Sequence, residues 1–200
     1  MTSNEIILLV KQCLEGQTES YNRIVRFFQG KIYRVCFQIL GTPQDAEDAT
    51  MEVFIKAYRC LNDYDTGYAF STWLYRIAFN HSIGIIRRRK IETDYLSDCC
   101  TDPVHAIDMD CPESVFMKNY KQDSLDDAME TLPAHYRTAL LLKYHEDLSY
   151  EQIGEIMDLP KNTVGSLILR GKKELRAILD ETGTYSINST TQYKYMGGVK

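Results

Sequence analysis

Two hundred residues, 44% hydrophobic and 26% charged, form a globular composition with room for one large domain or two small ones. No apolar run approaches membrane-spanning length, and the short run at 6–10 is closed by Lys11 and Gln12, so neither a spanning helix nor a secretion signal is expected and the chain should stay in the cytosol. A net charge of −5 argues against a protein that holds nucleic acid by bulk charge alone.

The charge is uneven along the chain. Residues 1–90 carry a net of +3, residues 91–123 a net of −6, residues 124–180 a net of −3 and residues 181–200 a net of +1. The acid therefore collects between two better-patterned regions. Six cysteines contain no C-x-x-C pair, which leaves a structural zinc site without support. Cys13, Cys36 and Cys60 fall in helical patterns and read as small apolar side chains. Cys99, Cys100, His105 and Cys111 lie in a polar stretch, where solvent-facing reduced thiols are the simple expectation and a metal or redox site the alternative.

Residues 4–14 predict a short amphipathic helix that ends near Gly16. A longer helix over 19–40 carries Tyr21, Ile24, Val25, Phe28, Ile32, Val35 and Ile39 at helical spacing, and Gly41 stops it. Thr42-Pro43-Gln44-Asp45 is a helix start, with Thr as cap and Pro at the first position. That helix runs to about residue 61 and shows an acidic outer face of Asp45, Glu47, Asp48 and Glu52. Residues 62–69 form a loop with two tyrosines. The next helix, 70–90, begins Phe-Ser-Thr-Trp-Leu-Tyr-Arg and ends Arg-Arg-Arg-Lys. Rings interleaved with cations suit unpaired nucleic acid, since rings stack on bases and cations follow the backbone. The plainer reading is that Phe70, Trp73, Leu74 and Ile77 are core and the basic run is a solvated helix end.

Residues 91–123 lack sustained periodicity, contain Pro103 and Pro112, and read as a linker. A helix capped by Ser124 follows, Leu132-Pro133 turns it, and another runs over 133–144. Ser149 with Gln152 forms a capping box for a short helix carrying Ile153, Ile156 and Met157 on one face. Asp158-Leu159-Pro160 breaks it. The last helix buries Val164, Leu167, Ile168 and Leu175 and turns Lys161, Asn162, Thr163, Ser166, Arg170, Lys172 and Lys173 outward. A short capped helix, a tight turn and a longer basic helix make a helix-turn-helix, whose second helix enters the major groove. An ordinary helical hairpin with a solvated basic face is the alternative. Five basic residues and one acid between Lys161 and Arg176, in an acidic chain, favour DNA. From 182 onward the chain reads as a disordered tail. Strand signals are absent. The expected fold is all-α, with helical domains at 1–90 and 124–180, the second a helix-turn-helix of winged-helix-like type.

Three motifs in order give a resemblance. The stretches Asp45-Ala46-Glu47-Asp48 with Glu52-Val53-Phe54, then Phe70 to Ala78 with Asn80 and Arg87-Arg88-Arg89, then Leu148 to Gly154 with Thr163-Val164-Gly165-Ser166, together resemble a bacterial RNA polymerase sigma factor of the two-domain extracytoplasmic-function (ECF) class. The resemblance implies a helix that binds core RNA polymerase through Asp45, Asp48, Met51 and Glu52, against a basic coiled-coil surface of the largest catalytic subunit. It implies a strand-opening helix that meets the minus-ten element through Tyr64, Trp73, Arg76, Asn80, Arg87, Arg88 and Arg89. It implies a recognition helix that reads the minus-thirty-five element through Lys161, Asn162, Thr163, Ser166, Arg170, Lys172 and Lys173. An anti-sigma factor is the further partner implied. The resemblance implies no cofactor, no metal and no enzymatic activity. The family usually has Gln at Met51, Asp at Gly84 and Lys at Gly165. Two other functions stay open from the residues alone: a helix-turn-helix regulator that acts without polymerase, and a Mg²⁺ site at Asp45, Asp48 and Glu52 serving phosphoryl chemistry.

Overall fold

A computed structural model describes residues 1–96 and 125–181. Most of the expected linker, with Cys99, Cys100, His105 and Cys111, and the expected tail lie outside the described residues. The described residues form helices and no strand, so the wing of the winged-helix comparison has no counterpart among them.

The first unit has four helices. Helix α1 (Ser3–Leu14) starts at a capping box: Thr2 Oγ1 accepts the Glu5 N–H, and the Glu5 carboxylate accepts the Thr2 N–H at 2.7 Å. Helix α2 (Thr18–Leu40) is the centre of the unit. Its Ile24, Ile32, Val35 and Cys36 are wholly buried, and α1, α3 and α4 all pack on it. It ends at Gly41, which takes the left-handed conformation (φ 79°) that lets the chain leave the last turn. Helix α3 (Pro43–Arg59) begins as expected, with Thr42 accepting the Asp45 N–H. A 3-10 turn at Leu61–Asp63 and a short loop lead to α4 (Phe70–Leu96). Helix α4 runs six residues beyond Lys90, because 91–96 contains neither Gly nor Pro to stop it.

The second unit has α5 (Leu125–Thr131), α6 (Ala134–Tyr144), α7 (Tyr150–Met157) and α8 (Lys161–Glu181). Ser149 and Gln152 make the expected capping box at the start of α7. The turn into α8 is tighter than the broken pattern suggested. Asp158 adopts a left-handed conformation, and the Leu159 N–H bonds back to the Gly154 carbonyl at 2.9 Å. A Cβ at residue 154 would sit 2.5 Å from the Leu159 carbonyl oxygen, so only glycine lets the chain fold back there. Gly84 and Gly165, the unusual glycines of the sequence, have no such demand: a Cβ at 84 meets nothing within 4 Å, and at 165 only the Tyr150 ring at 3.6 Å. The two units touch, with α6 against α2 and α7 against α4.

Two alanine substitutions separate these cases. Gly154→Ala should destabilise the second unit by ~1–3 kcal/mol, because the obstruction is backbone and must move as a whole. Gly84→Ala should stabilise the first unit by up to ~1 kcal/mol through helix propensity. Thermal melts followed by circular dichroism read both; equal melting temperatures for Gly154→Ala and parent would contradict the turn geometry.

Candidate functional site

The acidic face of α3 splits in two. Asp45 turns toward α4, where its carboxylate accepts two N–H bonds from Arg89 at 2.5 and 2.9 Å and the Thr42 hydroxyl at 2.5 Å. The Arg89 bonds, then that of Thr42, hold the Asp45 carboxyl down at about 2. Glu52 faces the same way, with its carboxylate 3.1 Å from His81 Nε2 but off hydrogen-bond alignment. Burial holds the His81 imidazole below its ordinary value, against the pull of Glu52. Glu52 keeps most of its side chain in solvent, 62% exposed.

The outward face of α3 is apolar. Met51 (60% exposed), Ile55 (53%) and Tyr58 (45%) follow one another at i, i+4 and i+7, a single stripe, and Asp48 lies exposed at its head. Sequence reasoning singled out Met51 but not Ile55 or Tyr58. The available signal was three large apolar residues left over after the core stripe of α3 had been assigned. With Asp45 bound to Arg89, the carboxylates of this helix do not gather, and no group of three or more potential metal ligands occurs among the described residues.

The loop before α4 is built around Tyr64. Its ring is buried against Phe70 and Trp73, with centroids 5.1 and 5.3 Å away, and its hydroxyl donates to the Tyr68 carbonyl at 2.7 Å. Burial pushes the Tyr64 phenol up. The structure thus puts Tyr64 inside the loop as its support and leaves Tyr68 as the solvent-facing ring, 62% exposed. Trp73 is half-buried in the same aromatic cluster. A groove of about 290 Å³ opens between this loop and α1, walled by Ile6, Ile7, Tyr64, Tyr68 and Phe70 with Ser3 and Ser71 at its polar edge. Beyond it on α4, Arg76, Asn80, Arg87, Arg88 and Arg89 are exposed. Of these, Arg89 is committed to Asp45, which ties the basic end of α4 to the start of α3.

On α8 the apolar stripe packs inward through Val164 and Ile168, while Asn162, Thr163, Ser166, Arg170, Lys172 and Lys173 are exposed. The Ser166 hydroxyl donates to the Asn162 carbonyl at 3.1 Å. Lys161 pairs with Glu151 of α7, and the carboxyl of that exposed glutamate is lowered by the contact. Lys172 sits over the Tyr144 ring, 4.6 Å from its centroid. Leu169 stands in the polar face three residues after Ser166 and is 69% exposed, more than any other large apolar residue described. Sequence reasoning assigned it to neither face; its place three residues after Ser166 was the available signal.

The site thus consists of a helix-turn-helix with a polar, basic second helix and, on the other unit, an aromatic groove beside a basic helix end. Residues 24–91 match the family Sigma-70 region 2, and residues 122–175 match Sigma-70, region 4. The ECF RNA polymerase sigma factor SigW of Bacillus subtilis is 35% identical over 175 residues, covering 84% of this chain and 92% of that protein. The ECF RNA polymerase sigma-E factor of Haemophilus influenzae is 33% identical over 171 residues, covering 82% and 90%. The sigma factor RpoE of Bartonella quintana, solved with the anti-sigma factor NepR, superposes with a TM-score of 0.64 at 18% identity over 81% of this chain and 98% of that one. CnrH, solved with the cytosolic domain of CnrY, gives 0.62 at 17% over 90% and 99%. At such identity these two structures speak for the fold alone. The chain belongs to the ECF sigma factors of the sigma-70 family.

The Asp45–Arg89 pair has a pH signature. A carboxyl held below its unfolded value stabilises the fold fully above that value, near 3.8, and loses its contribution as pH falls through about 2. The Asp45 carboxyl carbon, followed by NMR from pH 6 downward, should titrate well below an ordinary aspartate, and Arg89→Ala should move the midpoint up toward 3.8. An unchanged midpoint in Arg89→Ala would remove the pair from the account.

Proposed function

We propose that this sigma factor binds core RNA polymerase through α3, opens the minus-ten element at the Tyr68 groove and α4, and reads the minus-thirty-five element with α8. The single observation that carries this reading is the pairing of two solvent-facing surfaces in a chain of this family: an apolar stripe with acidic edges on α3, and a stripe of short hydrogen-bonding side chains on α8. The chain acts where polymerase and DNA are, in the cytoplasm, and works as a specificity subunit with no catalytic chemistry of its own. The sigma factor RpoE, of the same fold and solved with the anti-sigma factor NepR, motivates an anti-sigma partner for this chain as well.

Each surface has a physical task. Met51, Ile55 and Tyr58 offer apolar area that is lost from water on docking, which sets how long the complex lasts. Asp48 and Glu52 at its edge steer encounter with a basic partner and set the association rate. At the groove, an unpaired base needs a ring to stack on and a pocket to enter, and Tyr68 offers the ring while the bond from Tyr64 holds its backbone. Arg76, Arg87 and Arg88 follow the phosphates. On α8, Asn162, Thr163 and Ser166 lie at the N-terminal end, where helix-turn-helix proteins touch base edges, and Arg170, Lys172 and Lys173 lie farther along, toward phosphates. Leu169 in that face suits the methyl group of a thymine.

Binding kinetics to core polymerase separate the two parts of the α3 surface. Ile55→Ala should raise Kd about tenfold (~1.4 kcal/mol), mainly through faster dissociation, whereas Asp48→Lys with Glu52→Lys should mainly slow association. Equal kinetics in both variants and the parent would move the polymerase contact elsewhere. On promoter DNA, the holoenzyme of Asn162→Ala should lose preference at one upstream base pair, a cost of ~1–3 kcal/mol there, while Lys172→Ala should weaken all sequences alike and lower the salt slope by about one. Permanganate reactivity of the minus-ten region should fall in Asn80→Ala and Tyr68→Ala although closed complexes still form. Normal opening in both would take the groove out of the mechanism.

A further inference from the structure

The apolar stripe of α3 is gripped at one end by α2. Tyr58, the last ring of the stripe, keeps 45% of its surface in water. The Tyr21 ring of α2 lies 4.9 Å from it, centroid to centroid, at an interplanar angle of 64°, an edge-to-face contact. The Tyr21 hydroxyl donates to the Phe54 carbonyl of α3 at 2.5 Å. In an α-helix that carbonyl is also the one met by the N–H four residues on, which is that of Tyr58. Tyr21 thus holds Tyr58 in two places, at the helical turn that carries it and at the ring. Phe54 is buried and Tyr21 half-buried. Burial pushes the Tyr21 phenol well above its ordinary value, so the hydroxyl keeps its proton and stays a donor.

We propose that Tyr21 is a positioning residue for polymerase binding, which sets the Tyr58 ring before docking in the orientation that core polymerase meets. The inference rests on the reading of α3 as the polymerase-binding helix. It adds to that helix a residue of α2 that lies 33 positions before the carbonyl it holds.

The argument is one of order. A tyrosine on an open helix face moves among staggered rotamers, and fixing it in one of them on docking weakens binding. Tyr58 stands two residues before the C-cap at Cys60, where a helix end frays. A ring already held there meets its partner without that loss. The two contacts divide the task. The hydroxyl bond fixes the last turns of α3 against α2, and the edge contact of the rings selects the rotamer. A plain packing role for Tyr21 is the alternative, and its consequences differ. α2 and α3 already pack on each other through buried apolar side chains. Tyr21→Phe keeps the apolar area of the ring, and the Phe54 carbonyl keeps its helical N–H, so little of the packing is lost.

The test is a double-mutant cycle in the binding kinetics of the full-length protein with core polymerase. Tyr21→Leu should raise the dissociation rate about three- to tenfold, with the association rate within about twofold of the parent. Tyr21→Phe should raise it by about twofold. In a Tyr58→Ala background neither substitution should add a further change, because Tyr21 acts through the Tyr58 ring. NMR of the free protein supplies a readout without polymerase: the Tyr58 ring signals, displaced by the ring current of Tyr21, should move in Tyr21→Leu toward those of an exposed tyrosine. Tyr21→Phe carries the cycle if Tyr21→Leu fails to fold. Equal effects of the Tyr21 substitutions with and without Tyr58, or parent-like dissociation in both, overturn the proposal alone. A parent that does not bind core polymerase overturns the polymerase reading of α3 and the proposal with it.

Discussion

Helix α2 is the member on which the rest depends. Its stripe of Ile24, Phe28, Ile32, Val35, Cys36 and Ile39 is removed from water by α1, α3 and α4 together. Each of those helices surrenders one face to α2 and is left with the opposite face to offer. That is why α3 shows Met51, Ile55 and Tyr58 outward and why α4 shows Arg76 and Asn80. The same helix carries Lys31 and Arg34 on a different side, where they meet Glu146 of the second unit. One element thus sets the geometry of the first unit and its relation to the second.

An acidic chain carries cationic surfaces because its charges are sorted by place. The cations of α8 and of the end of α4 are held on exposed faces, while several acids are paired within the chain: Asp45 by Arg89, Glu146 by Lys31 and Arg34, Glu151 by Lys161. The pairings also link separate surfaces. Arg89 spans from the basic end of α4 to the start of α3, so a variant of either partner bears on both helices. Exposed pairs of this kind add little to stability, and their value lies in fixing where neighbouring side chains stand.

Much of the fold was legible because helix ends are written in local chemistry. Thr42-Pro43 and Ser149 with Gln152 announce helices through side chains that satisfy nearby N–H groups, and no distant residue is needed to interpret them. The helix-turn-helix was legible for the same reason. Other features turned on partners far along the chain. Tyr64 and Tyr68 are equivalent as letters in one loop, yet Phe70 and Trp73 close over the first and leave the second in water. Gly154 looks like any helical glycine until the Leu159 carbonyl is found beside it.

What the sequence by itself determined is therefore the set of helices, their capped beginnings, the apolar stripe of each and the order of three motifs that marks the family. These follow from the 3.6-residue period and from bonds between residues a few positions apart. Only the tertiary structure decided which leftover residues count: the apolar stripe of α3, the exposed rings and leucine at Tyr68 and Leu169, the Asp45–Arg89 pair and the buried carboxylate of Glu146. Periodicity says which face of a helix must be covered. What covers it, and what then stands next to a charge more than a hundred residues away, is settled by packing.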